Sequence, residues 1–142
     1  MFLTLASQIG ALIMAAVCLF TAWAGGRPQR WTAGAVAIAW IGSSALQDRR
    51  NIDPQYAIFA LDLMVGAVFG WMALTWRRAW LMAVAALQLL TLATHVATMI
   101  DSRIWPLAYQ TAYLFWSYAL LACVTWGGVE GWLNRRRVAG GP

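Results

Sequence analysis

Two side chains that can exchange protons lie inside long apolar runs of this sequence. Asp62 belongs to the run from 56 to 76, and His95, the only histidine, belongs to the run from 79 to 100. A carboxylate in such a run is costly to bury and normally faces protein or water. Each residue would give the other the hydrogen-bonding partner that burial demands. The sequence therefore predicts an Asp62–His95 pair, as a ligand or proton site or as a packing contact.

The two residues also fall at similar depth in neighbouring helices. Only Arg77 and Arg78 separate the two runs, so the helices must be antiparallel neighbours. At 1.5 Å per residue, Asp62 lies ~9 Å and His95 ~7.5 Å below the face opposite that turn. This agreement is the main argument for the pair.

Other polar side chains fall in the same half of the predicted helices. Gln88, Thr91 and His95 follow helical spacing, as do Gln110 and Tyr113 in the last apolar run. Further candidates for a ligand or proton site at this level are Gln8 and Gln47. The pattern predicts a polar pocket in this half of the bundle, which is the outer half in the orientation argued below. Interhelical hydrogen bonds would produce the same pattern.

Two glycines share a helix face with Asp62. Gly66 and Gly70 follow it at spacings of four and eight residues. Small residues four apart let a second helix approach closely. The sequence therefore predicts that Gly66 and Gly70 are helix-packing positions.

The composition defines the elements that carry these residues. Hydrophobic residues make up 62% of the 142 residues, charged residues only 11%, and the mean hydropathy is +0.63. The apolar runs have the length of membrane spans and lack the alternation of barrel strands. We expect an all-α integral membrane protein with one transmembrane domain over 1–142. The predicted helices cover 2–24, 31–47, 56–76, 79–100 and 105–126, followed by a basic cytoplasmic tail over 127–142.

The arginines predict how this bundle is oriented. Five spans place three arginines on one side, namely Arg49, Arg50 and Arg103. The other side then carries Arg27, Arg30, Arg77, Arg78, Arg135, Arg136 and Arg137. The positive-inside rule favours an N-terminus outside and a C-terminus in the cytoplasm. Without a crossing by 31–47, the arginines would divide equally, which favours five spans. The triplet Arg135, Arg136 and Arg137 is expected to anchor the chain to anionic lipid headgroups.

Several function classes fit the sequence poorly. The net charge of +5 reflects topology and argues against nucleic acid as a partner. One histidine and two cysteines, Cys18 and Cys123, argue against a metal site or other cofactor. Ser43, Ser44 or Ser117 could formally join His95 and Asp62 in a hydrolase triad. No strand-turn-helix elbow surrounds these serines, so we expect no enzyme.

The leading hypothesis is a small non-enzymatic accessory or scaffold subunit of a membrane assembly. Its expected partners are the lipid bilayer and either further copies of itself or a larger membrane complex. The alternative is a small permease or proton-coupled carrier that uses Asp62 and His95, and a third possibility is a phage-type membrane-permeabilising protein. The arginine-only basic set, with abundant Ala, Gly and Trp, favours a bacterial origin and the inner membrane.

Overall fold

The computed structural model describes residues 5–47, 54–100 and 106–139. The predicted helix starts at 2 and 105, the residues Arg49, Arg50 and Arg103, and the tail beyond 139 lie outside the described residues. Within those ranges every element is helical, which confirms the all-α prediction there. The helices are α1 Leu5–Ala24, α2 Arg27–Gln47, α3 Pro54–Trp76, α4 Ala79–Ile100 and α5 Pro106–Ala139.

Three described segments are long and apolar enough to cross a membrane: Tyr56–Trp76, Ala79–Ile100 and Leu107–Ala139. They belong to α3, α4 and α5. The apolar part of α1 is shorter, Gln8–Ala24. α2 is less apolar because its first turn carries Arg27, Gln29 and Arg30. Three of the five helices thus have the length and apolar composition of membrane spans, which supports a helical membrane bundle.

The helices form a closed ring in chain order. Each helix contacts the next, α5 also contacts α1, and α2 reaches α5 across the ring. Two-residue connections, Gly25-Gly26 and Arg77-Arg78, join α1 to α2 and α3 to α4. These two turns and the C-terminal turns of α5 make up one end of the bundle, called here the arginine-rich end. The first turns of α1, α3 and α5 belong to the opposite end.

α2 begins earlier than its hydrophobicity indicated. Helix was predicted from Trp31, but α2 starts at Arg27 and contains 21 residues. Pro28 is tolerated in a first turn because its missing N–H would have no partner there. The side-chain oxygen of Gln29 accepts a hydrogen bond from the Gly26 amide at 3.0 Å, which fixes the turn before the helix. At 1.5 Å per residue, α2 is about 31 Å long.

α5 continues past its predicted end near Trp126 as far as Ala139. Gly127 and Gly128 looked like a helix end because glycine is a poor helix former. In the fold, α5 is closely packed at both positions. A Cβ at Gly127 would lie 2.6 Å from the Trp80 ring, and one at Gly128 would lie 2.9 Å from the Thr21 hydroxyl. Close packing thus explains these glycines, and the predicted tail is helical up to Ala139.

The apolar core occupies the middle of the ring and its arginine-rich half. Its fully buried large side chains include Phe69, Met72, Trp80, Leu81 and Val124. Cys18 is buried beside them, Cys123 is partly buried, and both are free thiols. The buried residues Asp62, Gln88 and His95 lie nearer the opposite end.

Candidate functional site

The antiparallel packing of α3 and α4 brings Asp62 and His95 together. The Nε2 atom of His95 lies 3.0 Å from Oδ2 of Asp62. The exposed fraction is 0% for His95 and 6% for Asp62, so the pair is enclosed by protein. An isolated charge would be very unfavourable there, and the contact gives each group a partner. The two-residue α3–α4 turn keeps their depths matched.

Gln88 completes the hydrogen bonding of the carboxylate. It lies two turns before His95 on α4 and is buried. Its Nε2 donates to Oδ1 of Asp62 at 3.1 Å and to the Asp62 carbonyl at 3.2 Å. Each carboxylate oxygen therefore has a protein partner, and Asp62 of α3 is hydrogen-bonded to two side chains of α4.

Tyr109 of α5 hydrogen-bonds the other ring nitrogen of His95. Its hydroxyl lies 2.9 Å from Nδ1. Sequence reasoning missed Tyr109 and selected Gln110 and Tyr113 from this helix. The available signal was the four-residue spacing of Tyr109 and Tyr113, which puts two phenols on one face of α5. We call Asp62, Gln88, His95 and Tyr109 the His95 cluster.

Aromatic rings surround the imidazole of His95. Phe59, Tyr109 and Tyr113 meet it edge-on, with ring centroids 6.0, 5.6 and 5.7 Å away. Three of the five helices, α3, α4 and α5, thus meet directly at His95.

The geometry accommodates two protonation states of His95. With Asp62 ionised, Nε2–H donates to the carboxylate in both states. The Nδ1 atom accepts from the Tyr109 hydroxyl in neutral imidazole and donates to it in imidazolium. Carboxylate, imidazole and phenol are therefore connected, and such a series can hold a proton or pass it along.

The same contacts decide what the serines can do. The Ser117 hydroxyl donates to the Tyr113 carbonyl at 2.8 Å. Asp62 and Tyr109 occupy both ring nitrogens of His95. A serine hydroxyl therefore has no free nitrogen on His95 to act as its base.

Three further predicted site residues, Thr91, Gln8 and Gln110, do not join the cluster. Thr91 is buried, but its hydroxyl donates to the Leu87 carbonyl of its own helix at 3.1 Å. Gln8 and Gln110 carry exposed side chains, and the side chain of Gln47 lies outside the described residues. His95 itself is fully buried, so the His95 cluster is enclosed by protein.

The two predicted packing glycines differ. A Cβ at Gly66 would lie 3.2 Å from Leu92 and 3.4 Å from Gln88, so α4 approaches α3 closely there. A Cβ at Gly70 would meet no atom within 4 Å. The close approach predicted for both positions is therefore present at Gly66 and absent at the Cβ position of Gly70.

A second set of polar contacts joins helices at the arginine-rich end. Thr21 of α1 donates to the Val124 carbonyl of α5, and Gln29 of α2 donates to the Gly127 carbonyl, both at 3.3 Å. Arg78 forms a 2.7 Å ion pair with Glu130. These residues were not selected from the sequence, because Thr and Gln near helix ends resemble ordinary boundary residues.

The three predicted lipid-anchoring arginines have different surroundings. Arg135 donates to the Trp23 carbonyl, and its guanidinium lies 5.2 Å from the centroid of the Trp23 ring. Arg136 lies 3.8 Å over Trp132 of its own helix. Arg137 is exposed and makes no hydrogen bond or ion pair within the described ranges.

Among the described residues, no group of three or more His, Cys, Asp or Glu side chains could hold a metal ion. A shallow apolar groove lies on α5 and includes no residue of the His95 cluster; it is lined by Leu107, Ala108, Thr111, Ala112 and Phe115.

Comparison of the chain with protein-family models, curated proteins and solved structures gave no match. The geometry of the His95 cluster is therefore the basis for assigning a function.

Proposed function

We propose that this chain is a non-enzymatic accessory or scaffold subunit of a bacterial inner-membrane assembly. The observation that carries the proposal is the closed state of the His95 cluster. His95 is fully buried and bonded through both ring nitrogens, to α3 on one side and α5 on the other. A polar group enclosed in this way is well suited to holding helices in fixed positions.

The energetics favour such a holding role. Interhelical hydrogen bonds in membranes contribute about 0.6 kcal/mol each on average, and up to about 2 kcal/mol. The cluster combines several of them, and charge-assisted bonds such as Asp62–His95 belong to the stronger kind. Contacts that join three helices at one point restrict both sliding and rotation. A rigid bundle would give its partners a defined surface to bind.

Three features support five spans with the C-terminus in the cytoplasm. The two-residue turns put Arg27, Arg30, Arg77 and Arg78 at the end that also carries the C-terminal turns of α5. The positive-inside rule assigns this end to the cytoplasm. α2 lies within the ring between α1 and α3, and its length of about 31 Å matches that of a span.

The outer surface supports contact with lipid or with partner helices. Large apolar side chains are exposed on all five helices, including Leu12, Ile38, Met64, Leu89 and Leu114. On a protein in water, such coverage would be a strong aggregation hazard. In a bilayer the same surface is available for lateral association.

Gentle purification would test this proposal. The tagged chain is extracted from bacterial membranes in mild detergent, and co-purifying proteins are identified and quantified by mass spectrometry. We expect a partner in constant ratio, or several copies of the chain. A lone chain that moves a solute across reconstituted liposomes would contradict the subunit proposal.

A proton-coupled carrier is a second candidate, favoured by one observation. Tyr109 is only partly buried, so it could connect the enclosed Asp62–His95 pair to the outer end of the bundle. Proton uptake by liposomes containing the protein, followed with a pH-sensitive dye, would test this. Uptake that is lost in Tyr109→Phe but kept in Tyr118→Phe would support the carrier; no uptake by the wild type would reject it.

A further inference from the structure

Two arginines from different helices bind the C-terminal end of α1. Arg30 of α2 donates from Nε to the Ala22 carbonyl at 3.3 Å. Arg135 of α5 donates from Nη2 to the Trp23 carbonyl. The last carbonyls of a helix lack partners within the helix and carry partial negative charge, so guanidinium groups stabilise them. The two guanidinium groups therefore contact the carbonyls of consecutive residues at one helix end.

Neither of these two arginines has an acidic partner in the described part of the chain, and most of their N–H donors remain available. Within the described ranges, the ion pairs are Arg78–Glu130 and His95–Asp62, so neither Arg30 nor Arg135 is neutralised by an acid. Both side chains are exposed. A guanidinium has five N–H donors, and one carbonyl contact leaves most of them available. Guanidinium groups from two helices at one helix end suit a phosphate, which accepts several charge-assisted hydrogen bonds.

The surrounding indoles place this patch at the level of lipid headgroups. Trp23 is 66% exposed and Trp31 is 65% exposed. The Arg135 guanidinium lies 5.2 Å from the centroid of the Trp23 ring, which restricts its position further. Exposed tryptophans collect at membrane–water interfaces, where their rings meet both acyl chains and headgroups. A ligand here would meet two positive charges next to apolar surface.

We propose that Arg30 and Arg135, flanked by Trp23 and Trp31, form a binding site for the phosphate of an anionic phospholipid in the cytoplasmic leaflet. The inference rests on the membrane location and orientation under the proposed function, and it is independent of the His95 cluster. Arg136 and Arg137 do not share this role. Arg136 lies over Trp132 of its own helix, and Arg137 bonds to no other helix in the described structure.

Native mass spectrometry of the detergent-purified full chain tests the site. Phosphatidylglycerol is added as the anionic lipid and phosphatidylcholine as the zwitterionic one. We expect the wild type to retain one phosphatidylglycerol in preference to phosphatidylcholine. Arg30→Ala and Arg135→Ala should each weaken this binding roughly tenfold, through loss of a charge-assisted phosphate contact. Arg137→Ala removes the same charge and should change binding by less than about twofold.

Several results would overturn the inference. An equal loss in Arg137→Ala would mean that only diffuse charge attracts the lipid. Inorganic phosphate that displaces the lipid and stabilises the protein equally would mean a site for a free anion. If an alanine variant loses its helical circular dichroism, Arg30→Lys and Arg135→Lys are used, which keep the charge but lose the guanidinium. Unchanged binding in both lysine variants would contradict a site built on guanidinium geometry.

The outcome separates this inference from the proposed function. A chain that is absent from the membrane fraction would overturn both. A chain that is embedded in membranes and retains its partners, but shows no preference for the anionic lipid, would overturn the lipid site alone.

Discussion

The Tyr109 hydroxyl lies 2.9 Å from Nδ1 of His95, on the side of the imidazole ring opposite Asp62. This contact links α5 to the α3–α4 pair near the end of the bundle where α5 begins. Because of this contact, neither nitrogen of the His95 imidazole is free. The His95 side chain is also fully buried. A histidine with one free nitrogen could bind a ligand, whereas this one is enclosed by protein contacts.

Removing the Tyr109 hydroxyl should therefore loosen the bundle. Tyr109→Phe keeps the ring but leaves Nδ1 of His95 without its partner, and we expect a loss of about 1 kcal/mol in unfolding free energy. The matched control is Tyr118→Phe, because Tyr118 lies on the same helix and is exposed. The control should change stability by less than about 0.5 kcal/mol. Denaturant titration in detergent micelles measures both, and equal effects would contradict a special role for Tyr109.

The contrast between Gly66 and Gly70 gives a packing prediction. Gly66→Leu would force a large side chain against Leu92 and Gln88, and overpacking of this kind costs about 1–3 kcal/mol. Gly70→Leu enters open space and should be nearly neutral. Thermal unfolding of the two variants in one detergent compares them directly. Similar melting temperatures would mean that α4 does not approach α3 at Gly66.

A second glycine pair tests why α5 runs through Gly127. In Gly127→Ala the added methyl group would overlap the Trp80 ring, so we expect a clear loss of stability. In Gly34→Ala the methyl group meets no atom within 4 Å, and the better helix propensity should leave stability unchanged or raise it by up to about 1 kcal/mol. Equal tolerance at both sites, measured by thermal unfolding, would argue against close packing of α4 and α5.

The proposed orientation predicts how reporter fusions behave. A reporter active only in the cytoplasm should work when fused after Arg137 and should fail when fused at the N-terminus. Termini on opposite sides of the membrane require an odd number of spans, which the arginine distribution also favours. Activity at both ends would mean an even number of crossings. α2 would then be the helix that does not cross, since it is neither among the three long apolar segments of the described chain nor, like Gln8–Ala24 of α1, among the shorter apolar helices.

The sequence predicted the part of the site that regular helices determine. Asp62 and His95 lie on long helices joined by a two-residue turn, so counting residues from the opposite ends of the two helices, at 56 and 100, fixed their relative depth. Tyr109 could not be found in this way. Depth alone does not say which face of α5 turns inward, so Gln110 looked equally suitable.

The missed glycines have a related explanation. Glycine in a helix weakens it on average, so Gly127 was interpreted as a helix end. Whether a glycine is instead a contact depends on the side chain that faces it from another helix. Trp80 faces Gly127, whereas no side chain comes near Gly70. Sequence spacing on one helix contains no information about its neighbour.

The most direct test of the account is a double-mutant cycle on Asp62 and His95. Unfolding free energies are measured in detergent micelles for the wild type, Asp62→Asn, His95→Gln and the double variant. Each single change leaves the other residue buried without its proper partner, so both should destabilise the protein. The double variant should be less damaged than the sum of the two, with a coupling energy of about 1–3 kcal/mol. Strictly additive losses would contradict the account, because residues 3.0 Å apart in a closed cluster cannot act independently.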